Sequence, residues 1–152
     1  MTPRRSVFAV AATTVAALLG GLGALFARPA HAESKHHRVV FQVSSSDAGT
    51  MDLVIHNMGA MQRDYGARGE AAALELVCFG PGLAMLRADL SPVKDGLASL
   101  KGVTLSACNN TIQGREKEEG KKIVLVEGAR VVPSGVVRIA ELQEQGWSYL
   151  RP

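Results

Sequence analysis

Two cysteines stand in the chain, Cys78 and Cys108, and their surroundings differ. Cys78 lies inside the apolar run Leu74-Glu75-Leu76-Val77-Cys78-Phe79, where a small thiol serves as core filling. Cys108 follows Val103-Thr104-Leu105-Ser106-Ala107 and precedes Asn109-Asn110-Thr111. It therefore falls where a strand ends and a helix opens. A cysteine at a helix N-terminus feels the positive end of the backbone dipole, and such settings bring thiol pKa values down to roughly 3.5–7.5. The resulting thiolate is a nucleophile fit for thiol exchange. Asn109, Asn110 and Thr111 would offer amide, hydroxyl and backbone donors to an anionic sulfur, and Ser134 would approach from a later loop. The other reading of Cys108 is a small buried residue, and the residues alone leave both open. A Cys78–Cys108 bridge requires neighbouring strands with compatible side-chain directions.

Around these positions the pattern predicts alternating strands and helices. Arg38 to Val43 is a β-branched, apolar run expected as a buried strand. Asp47 is placed to cap a helix over Thr50 to Tyr65, in which Met51, Val54, Ile55, Met58, Met61 and Tyr65 recur at helical spacing. Leu74 to Phe79 is a second strand, stopped by Gly80-Pro81-Gly82, with a short helical stretch after it from Leu83 to Arg87. Ser91 is expected to cap a third helix that has Pro92 at its first position. The strand ending at Cys108 and a helix from Asn109 to Glu119 come next. Lys121 to Gly128 fits either a helical turn or a hairpin strand. Arg130-Val131-Val132 is a further strand, and Pro133-Ser134-Gly135 leads into a helix with Val136, Ile139 and Ala140 on one face. Trp147 to Leu150 is the last strand. This alternation calls for a mostly parallel sheet covered on both faces, with strand C-termini converging on one edge. Ser44 to Asp47, Gly80 to Gly82, Cys108 to Thr111 and Pro133 to Gly135 all belong to that edge, where open α/β sheets hold ligands.

The first 32 residues read as a secretion signal. Arg4 and Arg5 precede an uncharged run from Ser6 to Phe26, and Ala30-His31-Ala32 supplies small residues for cleavage. The arginine pair admits a twin-arginine route beside the general one, and the length of the apolar run admits an uncleaved anchor. With cleavage after Ala32 the protein is expected to be periplasmic or secreted and free of the membrane. Residues 33–37 are a polar lead expected to be mobile, and residues 38–152 form a single domain. The full chain has 17 Lys+Arg against 14 Asp+Glu, but three arginines leave with the signal and the remainder is balanced. A nucleic-acid partner, which needs a basic face, finds no support. No phosphate loop, dinucleotide fingerprint, Ser/His/Asp motif or Cys-x-x-Cys pair is present, so no cofactor and no metal are expected. His56, between apolar helix positions, reads as a hydrogen-bonded structural residue.

Taken in order, five segments resemble the DsrE/DsrF-like family. They are Val39-Val40-Phe41-Gln42-Val43, Cys78-Phe79-Gly80-Pro81-Gly82, Gly102-Val103 leading to Ala107-Cys108-Asn109-Asn110-Thr111, Val131 to Val137, and Gly146-Trp147-Ser148-Tyr149-Leu150-Arg151-Pro152. The resemblance spans nearly all of residues 38–152. It implies a three-layer α/β/α domain of the flavodoxin-like class with a five-stranded parallel sheet, assembled into homo-oligomers. It also implies that Cys108, by its position and its Cys-x-x-Thr context, matches the cysteine on which better-understood members carry sulfur as a persulfide. Those members act in cytoplasmic sulfur oxidation or in sulfur relay to tRNA thiolation, with protein donors and acceptors. This chain departs from them in its export signal, and many exported relatives have no assigned activity. The function expected from the resemblance is sulfur handling on Cys108. The alternative is a non-catalytic homo-oligomeric module that binds a small molecule or a protein in the same cleft.

Overall fold

A computed structural model describes residues 36–152. The expected export signal, residues 1–32, and residues 33–35 of the polar lead lie outside that range. The first strand, β1 (His36–Val43), begins two residues before the apolar run, so His36 and His37 belong to the sheet rather than to a mobile lead. His37 stacks on Tyr65 at 3.8 Å between ring centroids and bonds Glu70 at 3.0 Å, which fixes the start of the strand.

Helix α1 (Ala48–Ala67) starts at Asp47, whose carboxylate accepts from the Thr50 N–H at 2.7 Å. That bond satisfies one of the four unpaired N–H groups at a helix start. Met51, Val54 and Met58 of its inner face are fully buried. Strand β2 (Ala71–Cys78) follows, and then a 3-10 segment over Gly80–Leu86. Gly82 lets this segment lie on the end of β1, since a Cβ there would stand 2.2 Å from the Val43 carbonyl oxygen.

Helix α2 is short (Lys94–Ser99) and starts at Val93, not at Ser91. Ser91 instead accepts from the Val93 N–H at 3.4 Å, so Ser91-Pro92 shapes the turn before the helix. Strand β3 (Thr104–Cys108) passes straight into α3 (Asn109–Glu119). Residues 121–128 form neither helix nor hairpin. They run as an irregular segment pinned to the 3-10 region by a bridge between Arg87 and Leu125. Arg87 is itself buried and bonds Asp89 and Glu119, which ties this irregular segment's flank to the end of α3. Strand β4 (Ala129–Val132), helix α4 (Gly135–Glu144) and strand β5 (Ser148–Leu150) complete the chain.

The five strands form one all-parallel sheet in the order β4-β3-β2-β1-β5. Side chains alternate across it. One face carries Phe41, Val43, Leu74, Leu76, Cys78, Leu105 and Ala107 against α1, α2, α3 and the 3-10 segment. The other carries Val40 and Val77 against Ile139 and Leu142 of α4. The three-layer α/β architecture expected from the residue pattern is the one observed. Helix α4 presents a different face from the one anticipated. Gly135, Ile139 and Leu142 are buried at spacings of four and three residues, whereas Val136 and Val137 point outward. The helix is rotated because its first residue presses against the sheet edge.

Candidate reactive-cysteine site

The strand order decides where a crevice forms. Crossovers from β1 through to β4 all run in one direction, and their helices lie on one face. The crossover from β4 to β5 runs back, so the same right-handed rule puts α4 on the opposite face. The two chain paths therefore diverge between β3 and β4, where α3 goes one way and α4 the other. Crevices at the carboxyl ends of such diverging strands are the usual ligand positions in open α/β sheets. Cys108 is the last residue of β3 and pairs with Val132, the last residue of β4.

Two helix N-termini consequently face one sulfur. Cys108 is the residue from which α3 starts, with extended backbone at φ −72° and ψ 118°. Gly135 is the first residue of α4. Desolvation works against ionising the Cys108 thiol. The amide N–H of Gly135, the Thr111 hydroxyl and the amide N–H groups of Thr111 and Asn110 outweigh it, and the thiol is drawn below its ordinary value. The Thr111 hydroxyl is oriented for this task. Its oxygen accepts from the Gly80 N–H at 2.9 Å, which leaves its own proton free for the sulfur. Gly135 reaches Cys108 because it lacks a side chain. A Cβ there would stand 3.0 Å from a ring carbon of Phe79 and 3.3 Å from the Cys108 Cβ.

Of the residues expected at the site, Cys108 and Thr111 meet there and Asn110 contributes its backbone. The Asn109 and Asn110 side-chain amides do not serve the sulfur; the groups that favour its ionised form are backbone amides and one hydroxyl. Ser134 starts α4 without a side-chain capping bond, and the amide that faces the sulfur belongs to the next residue. Cys108 is buried, 5% exposed, with polar donors rather than only apolar side chains around its sulfur.

Cys78 differs in every respect. It is fully buried on the α1 face, and burial pushes its thiol far above the ordinary range. Its register partner is Ala107, one residue before Cys108. The two thiols thus project to opposite faces of the sheet, and both are free.

A second cluster, on the α4 face, was not foreseen from the residue pattern. Glu75, 1% exposed, lies in the middle of β2. It accepts from the Ser106 hydroxyl at 2.7 Å, from Arg130 at 2.9 Å, and from Arg138 at 2.9 and 2.8 Å. Burial alone would raise its pKa, but these donors together hold the carboxyl below its usual value. Arg130 precedes the Pro133–Gly135 loop and Arg138 follows it, so one buried carboxylate anchors both ends of the loop that carries the Gly135 amide. The signal was a single charge within the otherwise apolar run Leu74 to Phe79, since a buried charge requires partners. Beside this cluster runs a groove of about 350 Å³ lined by Arg130, Val131, Val132, Pro133, Ser134, Val137, Arg138 and Glu141. Among the described residues, no group of three or more His, Cys, Asp or Glu side chains is placed to hold a metal ion. His56 is exposed, with its ring nitrogen 3.0 Å from the Asp52 carbonyl oxygen.

No family model and no curated protein matches the chain. Among solved structures it is similar to MTH1491 from Methanobacterium thermoautotrophicum, a protein of unknown function. The two are 33% identical over 76% of this chain and 99% of that one, with a TM-score of 0.66.

Proposed function

The chain belongs to the same family as MTH1491, a protein whose own function is unknown, and from the donors around Cys108 and the resemblance of its segments we propose that it is an exported sulfur-handling protein of DsrE/DsrF-like type, carrying sulfane sulfur as a persulfide on Cys108. The observation that supports this reading is the set of donors around one thiol at the divergence of β3 and β4. In the step proposed, the Cys108 thiolate attacks the outer sulfur of a donor R–S–S–H. A bond forms between Sγ and that sulfur, the donor's S–S bond breaks, and R–S⁻ departs with the electron pair. The proton stays on the transferred sulfur. The amides that favoured the thiolate then favour the ionised persulfide.

Mass spectrometry after incubation with a sulfane-sulfur donor tests the reading. One sulfur atom should be gained per chain, removable by dithiothreitol and absent from Cys108→Ser. A gain that persists in that variant, or no gain in the parent, overturns it. Cys78 should take none, because its thiol is buried and remains protonated.

The slight exposure of Cys108 favours a second reading, a homo-oligomeric module that binds a small molecule or partner protein without chemistry. Iodoacetamide labelling of the folded protein against pH separates the two. For a sulfur carrier, labelling should be fast, with a midpoint below the ordinary thiol value of about 8.5. A binding module would label slowly at every pH until it is unfolded.

A further inference from the structure

The groove beside α4 is lined in part by Pro133 and Ser134, the two residues that precede the amide facing the Cys108 sulfur. Its walls at Val131 and Val137 are apolar and half-exposed. Its lining carries two guanidinium groups, the Ser134 hydroxyl and one carboxylate, Glu141, with the buried Glu75 carboxylate beneath them. Glu75 is committed to Ser106, Arg130 and Arg138 and lies beneath the surface. Arg130 uses its Nε on Ser106 and one Nη on Glu75, so its other Nη makes no protein hydrogen bond among the described residues. Arg138 uses Nε and one Nη on Glu75 and likewise keeps one Nη uncommitted. Glu141 lines the groove and is exposed; it forms no salt bridge among the described residues, but its charge lies near enough to act on Arg138.

The groove is therefore balanced in charge, with donor edges for a carboxylate and a separate acceptor for an ammonium group. A purely anionic ligand would meet the two arginines already half neutralised by Glu75, and Glu141 would repel it. A zwitterion satisfies both signs. We propose that this groove binds the α-amino-acid head of a small persulfide donor, its carboxylate on Arg130 and Arg138 and its ammonium on Glu141, with the thiol end directed past Ser134 to Cys108. The inference rests on the persulfide reading for its chemistry but not for its binding. A volume of about 350 Å³ lies at the small end of ligand pockets and suits an amino acid rather than a large cofactor.

Binding and transfer are measured separately. S-Methylcysteine, which cannot donate sulfur, is titrated into the full chain carrying Cys108→Ser and followed by amide NMR shifts. Saturable shifts should appear around residues 130–141, and Arg130→Gln or Glu141→Gln should weaken binding about tenfold, as expected for one charge-assisted hydrogen bond. Val137→Trp fills the groove from an exposed position and should abolish the shifts without disturbing the Glu75 cluster. Loading of Cys108 by cysteine persulfide should then show the same rise in half-saturating concentration in Arg130→Gln, whereas thiosulfate, an anion without an ammonium group, should load without saturating. Absence of shifts, or binding indifferent to all three substitutions, overturns the groove as the subsite. Saturation by thiosulfate in preference to cysteine persulfide overturns the zwitterion. Shifts without any loading leave the groove standing and remove the persulfide reading instead.

Discussion

Replacing Arg130 and Arg138 together by glutamine is expected to destabilise the protein by about 3–5 kcal/mol, the range for stripping the partners from a buried charge. Glu75 is 1% exposed, and Ser106 alone cannot offset the loss of its hydration. Glu75→Leu should behave differently. It removes the charge that has to be desolvated, and Arg130, nearly half-exposed, can turn to water. Arg138, only a quarter exposed, loses its carboxylate partner, so the cost should be smaller than that of the double variant but not zero. Urea denaturation midpoints at a constant slope would measure both. The pH dependence supplies an independent sign. In the parent the Glu75 carboxyl titrates below its unfolded value of about 4.3, so it binds fewer protons when folded. Its contribution is complete above that pH and is lost as the pH falls through the folded value. In the double variant, desolvation is unopposed and the carboxyl titrates above the unfolded value. The penalty then fades in acid, and the stability gap between the two proteins should narrow as the pH is lowered from 7 towards 4. A gap that widens instead would mean that the cluster is not what stabilises this face.

The layers and the place of Cys108 at a strand-to-helix junction were legible in the sequence because each depends on local pattern. Asp47 followed by Met51, Val54 and Met58 announces α1 and its inner strip, and both are found. The transition from Ala107 to Asn109 puts a cysteine at a strand-to-helix junction whatever the strand order. What could not be read is everything set by which strand lies beside which. The order β4-β3-β2-β1-β5 turns α4 to the opposite face and puts Cys108 where α3 and α4 diverge. The partners of Glu75, Ser106, Arg130 and Arg138, lie 31, 55 and 63 positions away, so no local window contains them. Val136 was misassigned for a related reason. Helical spacing admits two adjacent faces on a helix of ten residues, and the choice is made by contact of Gly135 with Phe79 and Cys108. Ser91-Pro92 has the chemistry of a helix start, but the chain uses it for the turn that precedes one.

That contact at Gly135 gives the second large effect. Gly135→Ala should leave the protein folded but make Cys108 a weaker acid. Alanine is favoured over glycine within a helix by up to about 1 kcal/mol. Against that, its methyl group would sit 3.0 Å and 3.1 Å from two atoms of Phe79, and overpacking of this kind costs about 1–3 kcal/mol. The two effects nearly cancel in stability if the start of α4 moves outward by a few tenths of an ångström. That movement withdraws the Gly135 amide, first among the groups that draw the Cys108 thiol down. Loss of a hydrogen bond to a charged group is worth about 1.5–3 kcal/mol, so the acid dissociation constant of the thiol should fall about tenfold or more, and the thiolate fraction falls with it wherever the thiol is only partly ionised. Reactivity should drop less, because intrinsic nucleophilicity rises about threefold for each tenfold loss of thiolate. The outcome is a crossing. Near pH 7 the variant should label several times more slowly than the parent, whereas in alkaline solution, with both sulfurs ionised, it should label faster. Reduced access to the sulfur would slow labelling at every pH, and damage to the fold would accelerate it at every pH. Only an amide holding the anion reverses the order of the two proteins, so parallel rate profiles would remove Gly135 from the site.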